Sequence, residues 1–461
     1  TMTETTSSMS TDLTPIISPF LDLHMLFPLL EYMDGNPKIT YSSKEIAAAR
    51  LDLLGPTHMV DYAMDIYKDL NGTSDDAELA KMEKQKQEVY QTLEDLRKRA
   101  AAFEEFVTSH KAKLGQKGDW NFKGVLSASG GKVRKETIEC YRQLAKFNYD
   151  CGDYQAARDM LRIYISLFVN SSEEEGENNY EALSNSATTN LLEALWGKLS
   201  CDILLENWED ASSALKAVRT VLEALSNSNR MAPLESLRQR TWLLHWGLFV
   251  FWNDRKGLDQ MMDLFTTEKY LQVITTNAPH LIRYLTAAVL IGKRRSQSGN
   301  KMMRELLRVM SNCNYTDPII EFVQCLCVKF DFDGAQAKLA ECENVLTTDF
   351  FLCKQTELFM EEARIFIFEN YCRIHSKLRV TDLAEKLAMD PASAERWIVD
   401  LIRNTDGLSA KIDWTENTVS ISGSNRASVH ETILDRTKDL NARSAMLMQN
   451  MKNMLEKERE R

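Results

Sequence analysis

The sequence predicts a mainly α-helical protein: a right-handed solenoid of TPR/HEAT-like helical repeats, followed by a C-terminal winged-helix domain and one terminal helix. Three observations favour this fold class. Only 18 Gly and 9 Pro interrupt 461 residues, far fewer turn residues than an all-β protein of this length needs. Apolar residues recur at helical spacing along most of the chain. One kind of helix start recurs three times between residues 153 and 332.

That recurring start combines a capping residue with an aromatic one, at Asp153-Tyr154, Asn207-Trp208 and Asp331-Phe332. A small residue follows three positions after each aromatic, and large apolar residues follow after seven and fourteen: Ala157, Ala211 and Ala335; Leu161, Leu215 and Leu339; Phe168, Leu222 and Leu346. Stacked helix pairs need small residues where they approach closely and large ones along the same face. Because the three starts are irregularly spaced, we predict a degenerate solenoid.

The changes of pattern along the chain predict six segments. We expect a disordered polar tail over residues 1–12, and N-terminal helices over 13–114 that end in a long heptad helix. A basic loop should occupy 115–132 and the solenoid 133–347. The winged helix is predicted over 348–423, and the terminal helix over 424–461.

The long helix is predicted from apolar residues at alternating three- and four-residue steps, with Lys86 as one polar interruption. This heptad seam comprises Leu79, Met82, Lys86, Val89, Leu93, Leu96, Ala100, Phe103 and Val107. Neighbouring helices of the same chain could cover it, or another chain could do so in an intermolecular coiled coil. We expect the first arrangement.

Residues 110–135 lose this periodicity and gain glycines, which predicts a long exposed connector. Seven cations face a single Asp119 there, and two aromatic residues lie among them: Lys111, Lys113, Lys117, Lys123, Lys132, Arg134 and Lys135, with Trp120 and Phe122. Cations can bind phosphates and aromatic rings can stack on bases. We expect a solvated loop, and the alternative is that the segment contacts RNA, the ribosome or an acidic protein.

Two further charged segments follow. Lys293, Arg294 and Arg295 form a second basic turn, which we expect to be an ordinary surface loop, with a contact to RNA or a partner as the alternative. Residues 171–186 hold five glutamates and no cation, which predicts a solvated or disordered loop. The whole chain is acidic, with a net charge of −11, which argues against a surface that binds nucleic acid throughout.

Past residue 347, a long helix, two shorter helices and two alternating strands at 408–414 and 418–422 predict a winged helix. Winged helices often bind DNA, but residues 377–422 hold six basic and eight acidic side chains, so phosphate binding there should be weak. We expect a protein interface and name Arg396 and Arg403 as candidates. Trp397 is expected in the core of the domain.

The last segment repeats apolar residues at heptad spacing, interrupted by Thr437 and Ser444. Its candidate interface residues are Ile433, Leu440, Leu447, Met451 and Met454. A single terminal helix cannot bury such a seam on itself. Helices of partner proteins could cover it, or the helix could dock on its own winged helix.

The sequence predicts no enzyme. Nucleotide-binding, serine-hydrolase and zincin motifs are absent, so we expect no catalytic residue, metal or cofactor. The odd number of scattered cysteines suits free thiols. His24, His245 and His375 lie in apolar helical stretches and should be structural. No secretory signal or apolar run of membrane-spanning length is found.

A helical solenoid that leads into a winged helix and a terminal helix resembles the PCI family, which the proteasome lid, the COP9 signalosome and translation initiation factor 3 share. The segments 24–33, 51–70, 195–208, 237–253, 330–346, 363–375 and 394–404 are similar to the PCI subunits of translation initiation factor 3. The polar tail before Leu13, the glutamates at 173–181 and the basic loop at Arg294 depart from that family.

This resemblance implies a non-catalytic scaffold that assembles with other PCI and MPN subunits of initiation factor 3. It further implies contacts with the D subunit of that factor, with initiation factor 4G and with the small ribosomal subunit. A part in mRNA recruitment and a cytoplasmic location are also implied, with a nuclear one left open. The winged helix would contact neighbouring PCI subunits, and the terminal helix would enter a shared helical bundle. A PCI subunit of the lid or signalosome, or a direct RNA-binding adaptor, are the alternatives.

Overall fold

The computed structural model describes residues 12–38, 41–71, 76–116, 120–168, 183–295, 299–313, 315–375, 377–379, 393, 395–397, 399, 410–413, 418–421 and 429–459. The chain divides into two compact units. One comprises Thr1–Glu321 and Ala340–Met360, and the other comprises Phe322–Leu339 and Glu361–Arg461. Residues 1–11 of the predicted tail and most of the predicted acidic loop lie outside the described residues.

The first unit is built from helices in the parts that the structure describes. The N-terminal ones are α1 (Thr14–Ile17), α2 (Leu26–Gly35), α3 (Ser43–Leu54), α4 (Val60–Asn71), α5 (Asp76–Gln116) and α6 (Phe122–Ala128). The next are α7 (Lys135–Asp150), α8 (Tyr154–Ser166), α9 (Thr189–Leu204), α10 (Trp208–Asn227), α11 (Pro233–Asn253), α12 (Gly257–Thr266), α13 (Glu268–Thr276), α14 (Leu281–Gly292), α15 (Gly299–Asn312) and α16 (Pro318–Gln324). From α7 to α12 each helix packs against the next along the chain. The predicted mainly α-helical class is confirmed.

The long heptad helix is α5, a single helix of 41 residues. Its seam is half-buried from Leu79 to Leu96 and buried at Ala100, Phe103 and Val107. α5 packs against α4 and α7, so helices of the same chain cover the seam, as expected. The polar interruption is also explained, because Lys86 Nζ lies 2.6 Å from a carboxylate oxygen of Asp61 on α4.

A left-handed turn precedes each of the three predicted repeat helices. Its central residue has a φ of 88° at Gly152, 57° at Glu206 and 55° at Phe330. The N–H of the next residue donates to a carbonyl of the preceding helix, each time at 2.9 Å: Asp153 to Asn148, Asn207 to Asp202 and Asp331 to Cys325. Such a turn ends one helix and lets the next begin within two residues.

The residues predicted to line the repeats are buried. The three alanines are fully buried, and the large apolar residues after them are buried, except that Phe168, two residues past the end of α8, is half-buried. The apolar run in α11 is buried from Leu243 to Trp252, and every residue of α14 is buried. Helices that are apolar on all sides lie inside a stack of helices, as these do.

The chain continues through a π-helical turn (Cys325–Lys329) into α17 (Phe332–Thr348), α18 (Thr356–Ile374), strands β1 (Lys377–Arg379), β2 (Ala410–Asp413) and β3 (Thr418–Ile421), and α19 (Val429–Arg459). Both predicted strands are found, and they pair antiparallel with Ile412 opposite Val419. β1, which the sequence did not predict, pairs with the other edge of β3, so the order is β1-β3-β2. The sequence also predicts two short helices after the long helix and before these strands. They lie largely outside the described residues.

Candidate interaction surfaces

Among the described residues, no three His, Cys, Asp or Glu side chains form a group that could hold a metal ion. All nine cysteines belong to this described part and are thiols, as predicted. No helix in the described ranges is long and apolar enough to cross a membrane.

Two of the three predicted structural histidines are buried and hydrogen-bonded. His24 Nδ1 lies 3.0 Å from the hydroxyl of Tyr154. His245 Nδ1 lies 2.7 Å from the carbonyl oxygen of Thr241. His375 differs, because it is exposed and its ring contacts Tyr371, with the ring centroids 4.5 Å apart.

A second imidazole, which the sequence did not single out, completes the environment of His245. His245 Nε2 lies 2.9 Å from His280 Nε2, and the ring of Phe20 stacks on His245. Since Nδ1–H of His245 donates to Thr241, its Nε2 must accept a hydrogen bond from Nε2–H of His280. Burial lowers the pKa of His245 to about 4 and that of His280 to about 3. Both rings are therefore neutral structural groups at neutral pH.

A buried ionic cluster joins α14 to two later segments of the first unit. Arg283 is almost fully buried and contacts Asp317 through Nη2 at 2.8 Å and Asp349 through Nη1 at 3.2 Å. The hydroxyl of Tyr284 donates to Asp349 at 2.9 Å. Burial opposes the charge of Arg283, but the two carboxylates raise its pKa above its ordinary value. The buried positive charge of Arg283 and the buried carboxylates of Asp317 and Asp349 therefore compensate one another, which is a structural role.

The structure differs from the predicted basic loop in its secondary structure and in the burial of its two aromatic rings. α5 runs on to Gln116, and the short helix α6 replaces much of the expected connector. Trp120 is only 2% exposed, and its indole N–H donates to Ser166 Oγ at 2.8 Å. Phe122 is half-buried against Phe168, with the ring centroids 4.9 Å apart. The candidate role of stacking on bases is wrong for Trp120, which is buried in the core around α7 and α8, and Phe122 packs against the same core.

The predicted cations have different outcomes. Four are exposed and form what we call the basic surface: Lys123, Lys132, Arg134 and Lys135. Lys111 and Lys113 belong to α5, and Lys117 lies outside the described residues. In the second basic turn Lys293 is half-buried, while Arg294 and Arg295 are exposed.

The candidate residues of the predicted winged helix lie only in part within the described residues. Arg396 is exposed, whereas Arg403 lies outside the described residues. Trp397 is half-buried and packs edge-to-face against Phe368 of α18, with the ring centroids 6.0 Å apart. This contact is the core role expected for Trp397.

The terminal helix α19 carries more exposed large apolar side chains than any other helix in the described residues. It is a helix of 31 residues, and every described side chain from Ile433 to Lys452 is exposed. Leu440 and Leu447 are each 63% exposed, and Met451 is 57% exposed. Met454 belongs to the same helix, but its side chain is not described.

The sequence reasoning missed the apolar residues beside this seam. Leu434 and Met448 are exposed one position after Ile433 and Leu447. The signal was present in the sequence, because apolar residues also recur every seven or fourteen positions in the helical column beside the seam. With them the apolar face becomes wider than a two-stranded coiled coil requires and resembles the face of a bundle helix.

Two family models match the chain. Residues 12–148 match the model described as eIF3 subunit 6 N terminal domain, and residues 339–422 match the PCI domain. The second match covers α18 and the three-stranded sheet. The chain is thus a PCI-domain protein with an N-terminal helical region.

Similar proteins identify the family more closely. The E subunit of eukaryotic translation initiation factor 3 from Arabidopsis thaliana is 38% identical over 455 residues, which cover 96% of each chain. The protein of the same name from Drosophila melanogaster is 37% identical over 439 residues, 95% of this chain and 94% of the relative. The chain belongs to the family formed by the E subunits of eukaryotic translation initiation factor 3.

Proposed function

We propose that this protein is a non-catalytic scaffold subunit of translation initiation factor 3, and that α19 joins it to other subunits of the complex. The observation that carries the proposal is the exposed seam of α19. Burial of one leucine or methionine side chain stabilises an assembly by about 1.5–3 kcal/mol. A helix with several such residues in water is typical of an interaction site.

The family extends the proposal to particular partners. Other PCI and MPN subunits, the D subunit and initiation factor 4G are the proposed protein partners, in the cytoplasm. Through the assembled complex the protein helps to bind the small ribosomal subunit and to recruit mRNA. The exposed Arg396 supports a further contact through the winged-helix region.

The test replaces the seam of α19 in the full chain. The double variant Leu440→Asp with Leu447→Asp should lose most co-purification with the other subunits of initiation factor 3, because carboxylates would be buried in the interface. Its thermal unfolding should be unchanged, because both side chains are exposed in the free protein.

The control places the same two carboxylates on the outer side of the same helix. Ala442 and Met446 are exposed there, away from the seam. Ala442→Asp with Met446→Asp should leave co-purification intact. If the seam variant assembles as well as this control does, α19 is not the assembly element.

A second function, direct contact with RNA, rests on the basic surface. Its four exposed cations lie on α6, in the turn after it and at the start of α7, where several phosphates could be bound together. Replacing all four by Gln should weaken binding to naked ribosomal RNA and reduce its salt dependence, by about one released counterion for each lost contact. The control replaces four other exposed cations of the first unit by Gln: Lys84, Lys98, Arg255 and Lys256. If the two sets behave alike on RNA, the basic surface is not an RNA site.

A further inference from the structure

The two flanks of the α19 seam differ in chemistry. The seam consists of two alternating columns: Ile433, Leu440 and Leu447, and Thr437, Ser444 and Met451. One flank is uncharged, and we call it the neutral flank: Leu434, Asn441 and Met448. The other, the cationic flank, carries Arg436 and Arg443. All of these side chains are exposed.

Two aspartates lie in the same stretch of the helix as these flanks. Asp435 lies in an outer column, and Asp439 lies in the outer column beside the cationic flank, three residues after Arg436 and four before Arg443. Within the described part of the chain, no carboxylate lies at ion-pair distance from Arg436 or Arg443. The border of the apolar face is therefore positive on one side and uncharged on the other.

This asymmetry argues against a second copy of the same helix as the partner. In an antiparallel pair the cationic flank would face the cationic flank of the copy, and four arginines would repel one another. In a parallel pair the cationic flank would face the neutral flank, so the arginines would gain no partner. Helices commonly use flanking charges in this way to exclude wrong partners.

We propose that α19 binds a helix that carries acidic side chains opposite Arg436 and Arg443, while its neutral flank packs against another helix of the same bundle. The proposal rests on the proposed function, in which α19 is the assembly element, and adds the chemistry of the partner. The wide apolar face fits more than one neighbour. The paired charges fix which neighbour lies on which side.

The test uses the full chain and two designed helical peptides with the same apolar seam, one flanked by Glu and the other by Lys. Fluorescence anisotropy at low salt should show binding of the acidic peptide at least about tenfold tighter than that of the basic one. The preference should shrink at 0.5 M salt, where the Debye length falls to roughly 4 Å. Equal binding of the two peptides, or no binding of either, overturns the proposal.

Charge reversal then tests the two arginines. Arg436→Glu with Arg443→Glu should invert the preference, so that the basic peptide now binds more tightly; this gain shows that the variant helix still forms. The matched control reverses two cations on the outer side of α19, Lys438→Glu with Lys452→Glu, and should keep the original preference. An unchanged preference in the arginine variant overturns the proposal.

Assembly of the factor separates this inference from the proposed function. The arginine reversal should also reduce co-purification with the other subunits, and the lysine control should not. If Leu440→Asp with Leu447→Asp abolishes assembly while the arginine reversal leaves it intact, the scaffold function stands and the acidic partner is wrong.

Discussion

The two long helices α5 and α19 have the same kind of heptad pattern and opposite environments. Each has an apolar seam with polar interruptions and charged residues around it. α4 and α7 cover the seam of α5, and its C-terminal half is fully buried at Ala100 and Phe103. The described side chains of α19 are exposed along the whole seam. A heptad pattern thus predicts which face of a helix needs a partner, and does not say which molecule provides it.

The polar residues that interrupt the two apolar seams also differ in where their partners lie. Lys86 in α5 pairs with Asp61 on a neighbouring helix. Thr437 in α19 donates its hydroxyl to the carbonyl of Ile433, within its own helix, at 2.7 Å. The polar residue in the seam of α5 therefore has its partner on one neighbouring helix, α4. Thr437 in α19 is hydrogen-bonded within its own helix, so it can enter an interface without leaving its hydroxyl unpaired.

The largest effect should come from equivalent truncations in the two seams. Phe103→Ala in α5 should lower the free energy of unfolding by about 3–5 kcal/mol, because it leaves a cavity in the core. Leu447→Ala in α19 should change it by less than about 0.5 kcal/mol, because the side chain is already in water. Urea unfolding followed by circular dichroism measures both. A comparable loss in the two variants would show that α19 is covered by its own chain.

Protonation of the buried residues His245 and His280 should lower the free energy of unfolding at acidic pH. The lowered pKa values of His245 and His280 mean that the unfolded chain, with ordinary histidine pKa values near 6.5, binds more protons than the folded one below that pH. The free energy of unfolding should therefore be level above pH 6.5 and fall towards pH 4. Each histidine contributes about 1 kcal/mol of this loss by pH 5.5.

The variant His245→Phe isolates this contribution. It should be less stable at neutral pH, since His280 loses its acceptor, but its free energy of unfolding should fall less steeply between pH 6.5 and 5 than that of the unmodified chain. Urea titrations at several pH values give the two slopes. Equal slopes would mean that other groups control the acid sensitivity.

The smallest effect concerns the polar interruption of α5. Lys86→Met restores an apolar seam and removes the contact with Asp61. Because Lys86 is partly exposed and such surface pairs contribute little, the free energy of unfolding should change by less than about 1 kcal/mol. Thermal unfolding of the variant beside Asp61→Asn provides the measurement. A loss above about 2 kcal/mol would show that this pair fixes the position of α5 against α4.

Several parts of the fold were predictable because local rules specify them. The three repeat helices begin where a capping residue precedes an aromatic, and the alanines three residues later are buried. The left-handed turns at Glu206 and Phe330 were not predictable, since only Gly152 among the three is a residue that favours this conformation. In the other two turns a non-glycine residue adopts this backbone, and the N–H of the next residue donates to a carbonyl of the preceding helix.

The basic loop shows where sequence reasoning failed. Clustered lysines and glycines around an aromatic pair suggested an open, stacking surface. The structure instead buries Trp120 with its N–H on Ser166 of α8, a contact between residues far apart in sequence. The four cations of the basic surface remain exposed because charged side chains lose solvation when buried, which a composition argument already anticipates.

The sequence by itself determined the helical class, the repeat starts, the seam positions of α5 and α19 and the strands β2 and β3, because caps, apolar spacing and strand alternation act over a few residues. Only the tertiary structure decided that α5 is covered, that Trp120 is core, that His245 is hydrogen-bonded to His280 and that Arg283 is neutralised by Asp317 and Asp349. Each of these depends on residues distant in the chain, and the pairing of distant surfaces follows from how the whole chain packs.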